Sequence, residues 1–552
     1  MDTLTHVLVL PEALERLDSP SIIIPRTANT SEEVVPYAHL TDLTQSLQHD
    51  LATLGISVGS KVAIVLPNGL AFVTVLLATI RQRAISAPIH PNSTREECKQ
   101  IFSLMTPDLV AVMPSEASPA AAAVLAAQDL GLPVASCHRY PQSGRLSFCL
   151  ALKLVNRGDE TSNPSPCMVY SRDHVLAEDK VLELFTSGTT GAPKSVQLTH
   201  TNILVAMRII TSAHKITFKD RSFLITPLFH IIGIAGSLLP TLFTGGCAVI
   251  PASLPATFWQ DCQDYSITWY HAVPTLHHLL LSFPMPKGGV PATLRFIRSG
   301  GSDMSLDLFN RLQKLGVPLL EVYGMTETAP AIFCNPFPVT ETSTAIKRHP
   351  GQYPIPDAVD VMILPPERAP GLEPNGDLDG IENTEPVARL TKELGVKGEI
   401  CLRGKNIMAG YTNNPAANRE AFLPNGFFRT GDLGVIKPRQ YLALIGRVKE
   451  IINKGGEKIS PAEIEHVARL HDQVNDAACF RISDEIYGEV IGLAITAKSA
   501  ITITAVKKHM RHHVVMFKVP DKVLLVQEIP YNRTGKPRRT LLSEMYDRGE
   551  LA

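Results

Sequence analysis

Between Leu184 and His200 the chain reads LFTSGTTGAPKSVQLTH, in which Thr186, Ser187, Gly188, Thr189, Thr190 and Gly191 precede Lys194. Glycines let backbone N–H groups turn toward an anion, hydroxyls add donors and the lysine adds charge, so the segment has the chemistry to hold a polyphosphate. It is not the Walker loop, because GxxxxGK[ST] does not fit Gly188 to Lys194. On composition alone, a Ser/Thr/Gly cluster after a strand is also an ordinary turn. Further segments follow in order: PLFHIIGIAG with His230, YGMTET with Tyr323, Thr326 and Glu327, and RTGDLG with Asp432. After them come GRVKEIINKGGEKISPAEIE, with Arg447, Lys449, Lys454, Gly455 and Gly456, and NRTGKPRR with Lys536.

These residues need elements to place them. From Val58 onward short apolar runs (KVAIVLP, ISAPI, PDLVAVMP) alternate with helical patterns (LAFVTVLLATIRQRA and the stretch from Pro119 to Leu130), which predicts a parallel sheet covered by helices. The rhythm returns after the glycine loop, where Ile203, Met207 and Ile210 form one helix face and CAVIP reads as a buried strand. Residues 365–397 are polar and rich in Pro and Gly, and read as an exposed insertion. The last hundred or so residues (NDAACFRI, EVIGLAITA, a basic helix from Ala505 to His513, DKVLLVQEIP) read as a compact α+β unit, jointed at GRVKE. The expected division is 1–447 and 448–552.

Composition narrows the classes. The 552 residues carry a formal net charge of −1, which gives no electrostatic case for nucleic acid or an anionic membrane as partner. The start has no basic run and its apolar stretch is broken by Pro11, so no signal peptide or membrane span is expected. The end, Gly-Glu-Leu-Ala, lacks an SKL-type peroxisomal address, and the expectation is a cytoplasmic protein. Nine cysteines with no CxxC fit reduced thiols. His271, His277 and His278 offer no i,i+4 pair and no neighbouring carboxylate, so a metal site is not expected there.

Taken in order, these motifs resemble the adenylate-forming superfamily of acyl-CoA synthetases, peptide-synthetase adenylation domains and luciferase, from about residue 35 to 545. The resemblance implies an α/β protein: a large N-terminal domain of stacked α/β subdomains and a small, mobile α+β C-terminal domain. It implies a carboxylate attacking the α-phosphate of MgATP to give acyl-AMP and pyrophosphate, followed by thiol attack. Residues Thr186 to Gly191 and Lys194 would hold the β- and γ-phosphates, Thr326 the α-phosphate and Glu327 the Mg²⁺. Tyr323 would lie against adenine beside Gly300, Gly301 and Ser302, while Asp432 and Arg447 would take the ribose. Lys536 would stabilise charge on the α-phosphate, Lys449 would be the hinge, and Lys454, Gly455 and Gly456 would border a pantetheine tunnel. One departure is Ser195, where the family commonly has glycine after the motif lysine.

His230 stands where amino-acid-activating relatives carry an aspartate, so an α-amino acid is not expected, and His230 and His271 are expected to border the acyl pocket. No carrier domain follows, which points to free coenzyme A as acceptor, with a separate carrier protein as the alternative. The stretches Thr257 to Leu281, LRFIRSGG and INKGGEKISPAEIE resemble the oxalyl-CoA synthetase branch, including fungal pathway members of secondary metabolism. That resemblance implies a small di- or tricarboxylic acid. Arg298, at the end of the LRFI strand, would either pair with a second carboxylate or face solvent or cap a neighbouring helix.

Overall fold

The computed structural model describes residues 4, 16–27, 30–113, 121–141, 148–156, 166–171, 174–187, 193–302, 304, 306–337, 351–365, 390–448, 450–454, 457–532 and 536–551. The alternation expected after Val58 is present. Strands Lys61–Val65, Ile85–Pro88 and Leu109–Val112 pair in parallel, and helices Leu70–Arg81, Arg95–Met105 and Ala121–Asp129 cover them. The two ends of the seven-stranded sheet are antiparallel pairs, one of them the hairpin Lys180–Ser187 with Pro193–Thr199. Thr186 faces Lys194 and Ser187 faces Pro193 in that hairpin. Gly188, Thr189, Thr190 and Gly191 lie outside the described residues.

A second sheet has eight strands, and its centre is parallel: Arg221–Phe223, Trp269–Ala272, Phe296–Gly300 and Leu319–Gly324. Ligands of open α/β sheets gather beyond the carboxyl ends of such strands, here Ala272, Gly300 and Gly324. Helix His200–His214 packs against this sheet with Ile203, Met207 and Ile210 fully buried, the face its spacing predicts. Its start is a capping box in which Thr199 and Asn202 exchange bonds of 3.2 and 2.8 Å.

A third, antiparallel sheet of five strands spans Gln352–Pro354 to Tyr441–Arg447 and brings Phe428–Lys437 beside Tyr441–Arg447. Of the expected insertion, residues 366–389 lie outside the described residues. From Ile452 onward the chain forms a fourth sheet, with helices Pro461–Arg469, Ile503–His513 and Arg539–Asp547, and two apolar clusters drawn from this stretch alone. Among the described residues no helix is long and apolar enough to cross a membrane.

Candidate active site

Two clusters form where the second and third sheets meet the hairpin. Tyr323, near the end of Leu319–Gly324, donates its hydroxyl to Asp432 Oδ2 at 2.8 Å, and Arg447 Nε lies 2.9 Å from Asp432 Oδ1. Asp432 and Arg447 are direct partners across strands Phe428–Lys437 and Tyr441–Arg447, so sheet register places the ion pair. The Tyr323 ring packs between Phe333, at 5.4 Å, and Tyr353, at 5.9 Å. Burial, reinforced by the Asp432 charge, pushes the Tyr323 phenol well above its ordinary pKa, so it stays a donor.

The RTGDLG segment is held from below by Glu399. That carboxylate accepts from Arg429 at 2.9 and 2.7 Å and from the Gly431 backbone N–H at 3.0 Å. Gly431 has φ +73°, a left-handed conformation that a side chain would strain.

The second cluster surrounds Glu327, in the short 3-10 turn Thr326–Thr328 that follows directly from the same strand. Tyr411 donates to Glu327 Oε1 at 2.9 Å, and the Lys194 ammonium sits 4.9 Å over the Tyr411 ring. Tyr411 bridges Val196 of the hairpin in antiparallel fashion, and Asn418 fixes its backbone at both N–H (2.7 Å) and C=O (2.9 Å). The Asn202 amide donates to the carbonyls of Lys405 and Ile407, and Asn406 donates to that of Thr328. The loop 405–412 thereby ties the hairpin to the Glu327 turn. Among the described residues Glu327 Oε2 accepts no hydrogen bond, which leaves a hard oxygen ligand beside a lysine, a donor set that fits a magnesium phosphate.

Ser195, the departure from the family pattern, donates to Glu183 at 2.6 Å, and Gln197 donates to the other oxygen at 3.0 Å. Lys61 completes the buried set at 3.2 Å. The hydroxyl thus satisfies a buried acid that a glycine would leave with one donor fewer.

Near His230, the Phe229 ring lies tilted by 49° to His90 (centroids 4.4 Å apart) and by 50° to His230 (4.6 Å). Desolvation, then the neighbouring His90, lowers the His230 pKa. Gly300 lies so close to the next strand that an added Cβ would fall 2.5 Å from Val322 Cγ2. Its immediate reason is therefore strand packing. Of the alternatives for Arg298, the solvent-facing one is corrected, for it is 1% exposed. It donates to His271 Nδ1 at 3.0 Å, to Ser237 Oγ at 3.0 Å and to the Gly236 carbonyl. His277 is buried on its helix, while His278 is exposed.

The catalytic candidates of the C-terminal stretch sit apart from these contacts. Lys536 occupies a turn closed by Asn532, which accepts the Lys536 N–H at 2.9 Å and donates its own N–H to the Lys536 carbonyl at 2.9 Å. Arg539 pins the next helix by donating to Glu465 at 2.9 and 3.0 Å and to Glu450 at 2.7 Å. Lys454 pairs with Asp521 at 2.7 and 2.8 Å. Lys449, Gly455 and Gly456 lie outside the described residues. Tyr411 is the site residue that reasoning from sequence missed. It is one aromatic after a glycine, 84 positions from Glu327, and no spacing announces the contact.

Residues 24–412 match the AMP-binding enzyme family and residues 463–536 the AMP-binding enzyme C-terminal domain. The chain is 51% identical to acyl-CoA synthetase ALT10 of Alternaria alternata, with 99% of each chain covered. It is 34% identical to an oxalate–CoA ligase of Arabidopsis thaliana, over 92% of this chain and 93% of that one. The fold matches the crystal structure of ATP-bound MatB from Rhodopseudomonas palustris with a TM-score of 0.79, at 24% identity and over 99% of both chains.

Proposed function

Since the chain belongs to the AMP-binding enzyme family and is an AMP-forming acyl-CoA synthetase, we propose a division of labour among these residues and a class for its acid. The enzyme is an ATP-dependent acid–CoA ligase that uses ATP, Mg²⁺ and coenzyme A. Its acid, in our reading, is a small di- or tricarboxylic acid. The reading is supported by the relative described as an oxalate–CoA ligase, since oxalate carries two carboxylates.

One observation carries the assignment of roles. A single short segment touches both clusters: Tyr323 reaches Asp432, and four residues later Glu327 reaches Tyr411 and the neighbourhood of Lys194. Tyr323, with Gly300, Gly301 and Ser302, would face the base, while Asp432 and Arg447 would take the ribose. Thr326 would donate to the α-phosphate. Lys194 and the loop Thr186 to Gly191 would hold the β- and γ-phosphates. Magnesium held at Glu327 would offset the phosphate charge. Lys536 would steady the charge that grows on the α-phosphate as the carboxylate attacks, and His230 would border the reacting carboxylate. Lys449 as hinge and Lys454, Gly455 and Gly456 as the tunnel rim rest on family resemblance. The division at 447/448 is supported by the separate apolar clusters that begin at Ile452.

The test is pyrophosphate release across mono-, di- and tricarboxylic acids, with free coenzyme A and with a pantetheinylated carrier protein. Release with short polycarboxylic acids and a thioester on free coenzyme A is expected. Preference for monocarboxylic acids, or a thioester on the carrier alone, would overturn the proposal.

A further inference from the structure

The strand that carries Asp432 is bent by a bulge. Across strands Lys397–Gly404 and Phe428–Lys437, Glu399 faces Leu433 and Cys401 faces Arg429, so Ile400 alone stands opposite Thr430, Gly431 and Asp432. A bulge takes backbone groups out of the ladder, and they need other partners. The Thr430 hydroxyl donates to the Ile400 carbonyl at 2.9 Å and accepts the Asp432 N–H at 3.0 Å. The Gly431 carbonyl accepts the Val448 N–H at 2.8 Å, and the Gly431 N–H donates to Glu399 Oε1 at 3.0 Å.

Glu399 is 7% exposed, and each of its oxygens is used. Oε1 takes the Gly431 N–H, and Oε2 takes both Arg429 bonds. A buried charge is tolerated when it is paired and hydrogen-bonded in this way. Gly431 has φ +73°, and a Cβ there would meet no atom within 4 Å, so backbone conformation rather than crowding calls for glycine. Glycine has the weakest steric restraint of its own. Its conformation is therefore held by the bonds at its two ends, from Glu399 and from Val448.

Asp432 follows immediately. Its carboxylate meets the Tyr323 hydroxyl of the second sheet at 2.8 Å and Arg447 of the adjoining strand at 2.9 Å. Rotation of the Gly431 peptide would swing Asp432 off both. The shape of the bulge thus sets the aim of the carboxylate, and Glu399 is the side chain that fastens the bulge at its one permissive residue.

We propose that Glu399 is a positioning residue for the nucleotide sugar: by holding Arg429 and the Gly431 N–H it aims the Asp432 carboxylate at the ribose hydroxyls, and so sets the discrimination between ribo- and deoxyribonucleotides. This rests on the reading of Asp432 as the ribose acceptor. Both donors require an oxygen. A glutamine would present its NH2 to either Arg429 or the Gly431 N–H, donor against donor, and leave one of them unpaired.

Binding of ATP, 2′-deoxy-ATP and 3′-deoxy-ATP to the full chain is measured by calorimetry with Mg²⁺ and without acid or coenzyme A, so the identity of the acid does not enter. Wild type should bind ATP about 10- to 100-fold more tightly than either deoxynucleotide, the scale of one hydrogen bond to a charged group. Glu399→Gln should shrink that preference to about 3-fold or less, chiefly by weakening ATP, since the deoxynucleotides have one hydroxyl fewer to lose. Arg429→Lys, which keeps a charged donor for Oε2, should retain most of the preference. If urea unfolding shows that Glu399→Gln does not fold, Arg429→Met, at a side chain 38% exposed, decides by the same ratio and should also shrink it. A wild-type preference for ATP that Glu399→Gln (or Arg429→Met in its place) keeps, or an equal loss of affinity for all three nucleotides, refutes the positioning role and leaves Asp432 as the ribose acceptor. Equal binding of all three by the wild type refutes the ribose reading and the proposal with it.

Discussion

Replacing Gly300 by alanine would put a Cβ 2.5 Å from Val322 Cγ2 and 2.7 Å from the Val322 carbonyl oxygen, its partner across the parallel ladder. The methyl contact can be relieved by a rotamer change, but the carbonyl cannot move without its strand. An ordinary contact begins near 3.4 Å, so strands Phe296–Gly300 and Leu319–Gly324 must part by about 0.7 Å. A ladder bond of about 2.9 Å lengthened by that amount leaves the normal range. Overpacking by one methyl costs about 1–3 kcal/mol, and a loosened buried backbone bond about 1–3 kcal/mol more. We expect Gly300→Ala to lose about 2–6 kcal/mol. It should also raise the KM for ATP, because the displaced strand carries Tyr323 next to Val322. The assay is urea unfolding followed by tryptophan fluorescence. Both tryptophans, Trp259 and Trp269, are fully buried beside this sheet and report on it directly. Val322→Ala in the same chain should restore part of the loss, since it removes Cγ2 and leaves the carbonyl. Wild-type stability in Gly300→Ala, with a change in ATP binding alone, would refute the packing argument.

The other predictions concern charge. Tyr411→Phe keeps the ring beneath Lys194 but deprives Glu327 of its donor, and should lower kcat/KM for MgATP roughly 10- to 100-fold, with a higher Mg²⁺ requirement in titration; an unchanged Mg²⁺ profile would contradict the link. Lys536→Ala should slow adenylation roughly 100-fold or more, the scale of one preorganised charge donor, while synthetic acyl-AMP is still converted to thioester; equal loss of both half-reactions would remove Lys536 from its role. His214, His271 and His277 are all held neutral by burial, His277 down to about 3. The unfolded chain binds protons at these positions near pH 6.5 and the native one does not. Stability should therefore be full above that pH and fall below it, by up to about 4 kcal/mol per pH unit for three histidines. Urea midpoints that stay level between pH 6.5 and 5 would contradict this.

The strands and helices of residues 61–129 were legible because apolar runs of strand length alternate with helical ones, and each element is short enough for composition to mark its ends. The same holds for Val474–Asp484 and Gly488–Ala497, whose runs of buried residues stand out in the sequence. The five-stranded antiparallel sheet was not anticipated, because its strands are separated by a long polar stretch and its register is set by partners far apart in the chain. Motif residues such as Asp432 and Glu327 were found by type and spacing, but the contacts that orient them were not. Asp432 meets Tyr323 across 109 positions, and Glu327 meets Tyr411 across 84. Arg298 was harder still, since a charge amid apolar residues reads as an exposed end and its burial depends on a π-helical turn 61 positions away.

The central claim is that a carboxylate oxygen of the acid attacks the α-phosphate of ATP at the site formed by Tyr323, Glu327 and Asp432. Acid labelled with ¹⁸O in its carboxylates, supplied with ATP, Mg²⁺ and coenzyme A, tests it most directly by mass analysis of the products. The account predicts AMP carrying one ¹⁸O, with unlabelled pyrophosphate. Labelled inorganic phosphate formed together with ADP, or AMP without label, would contradict it.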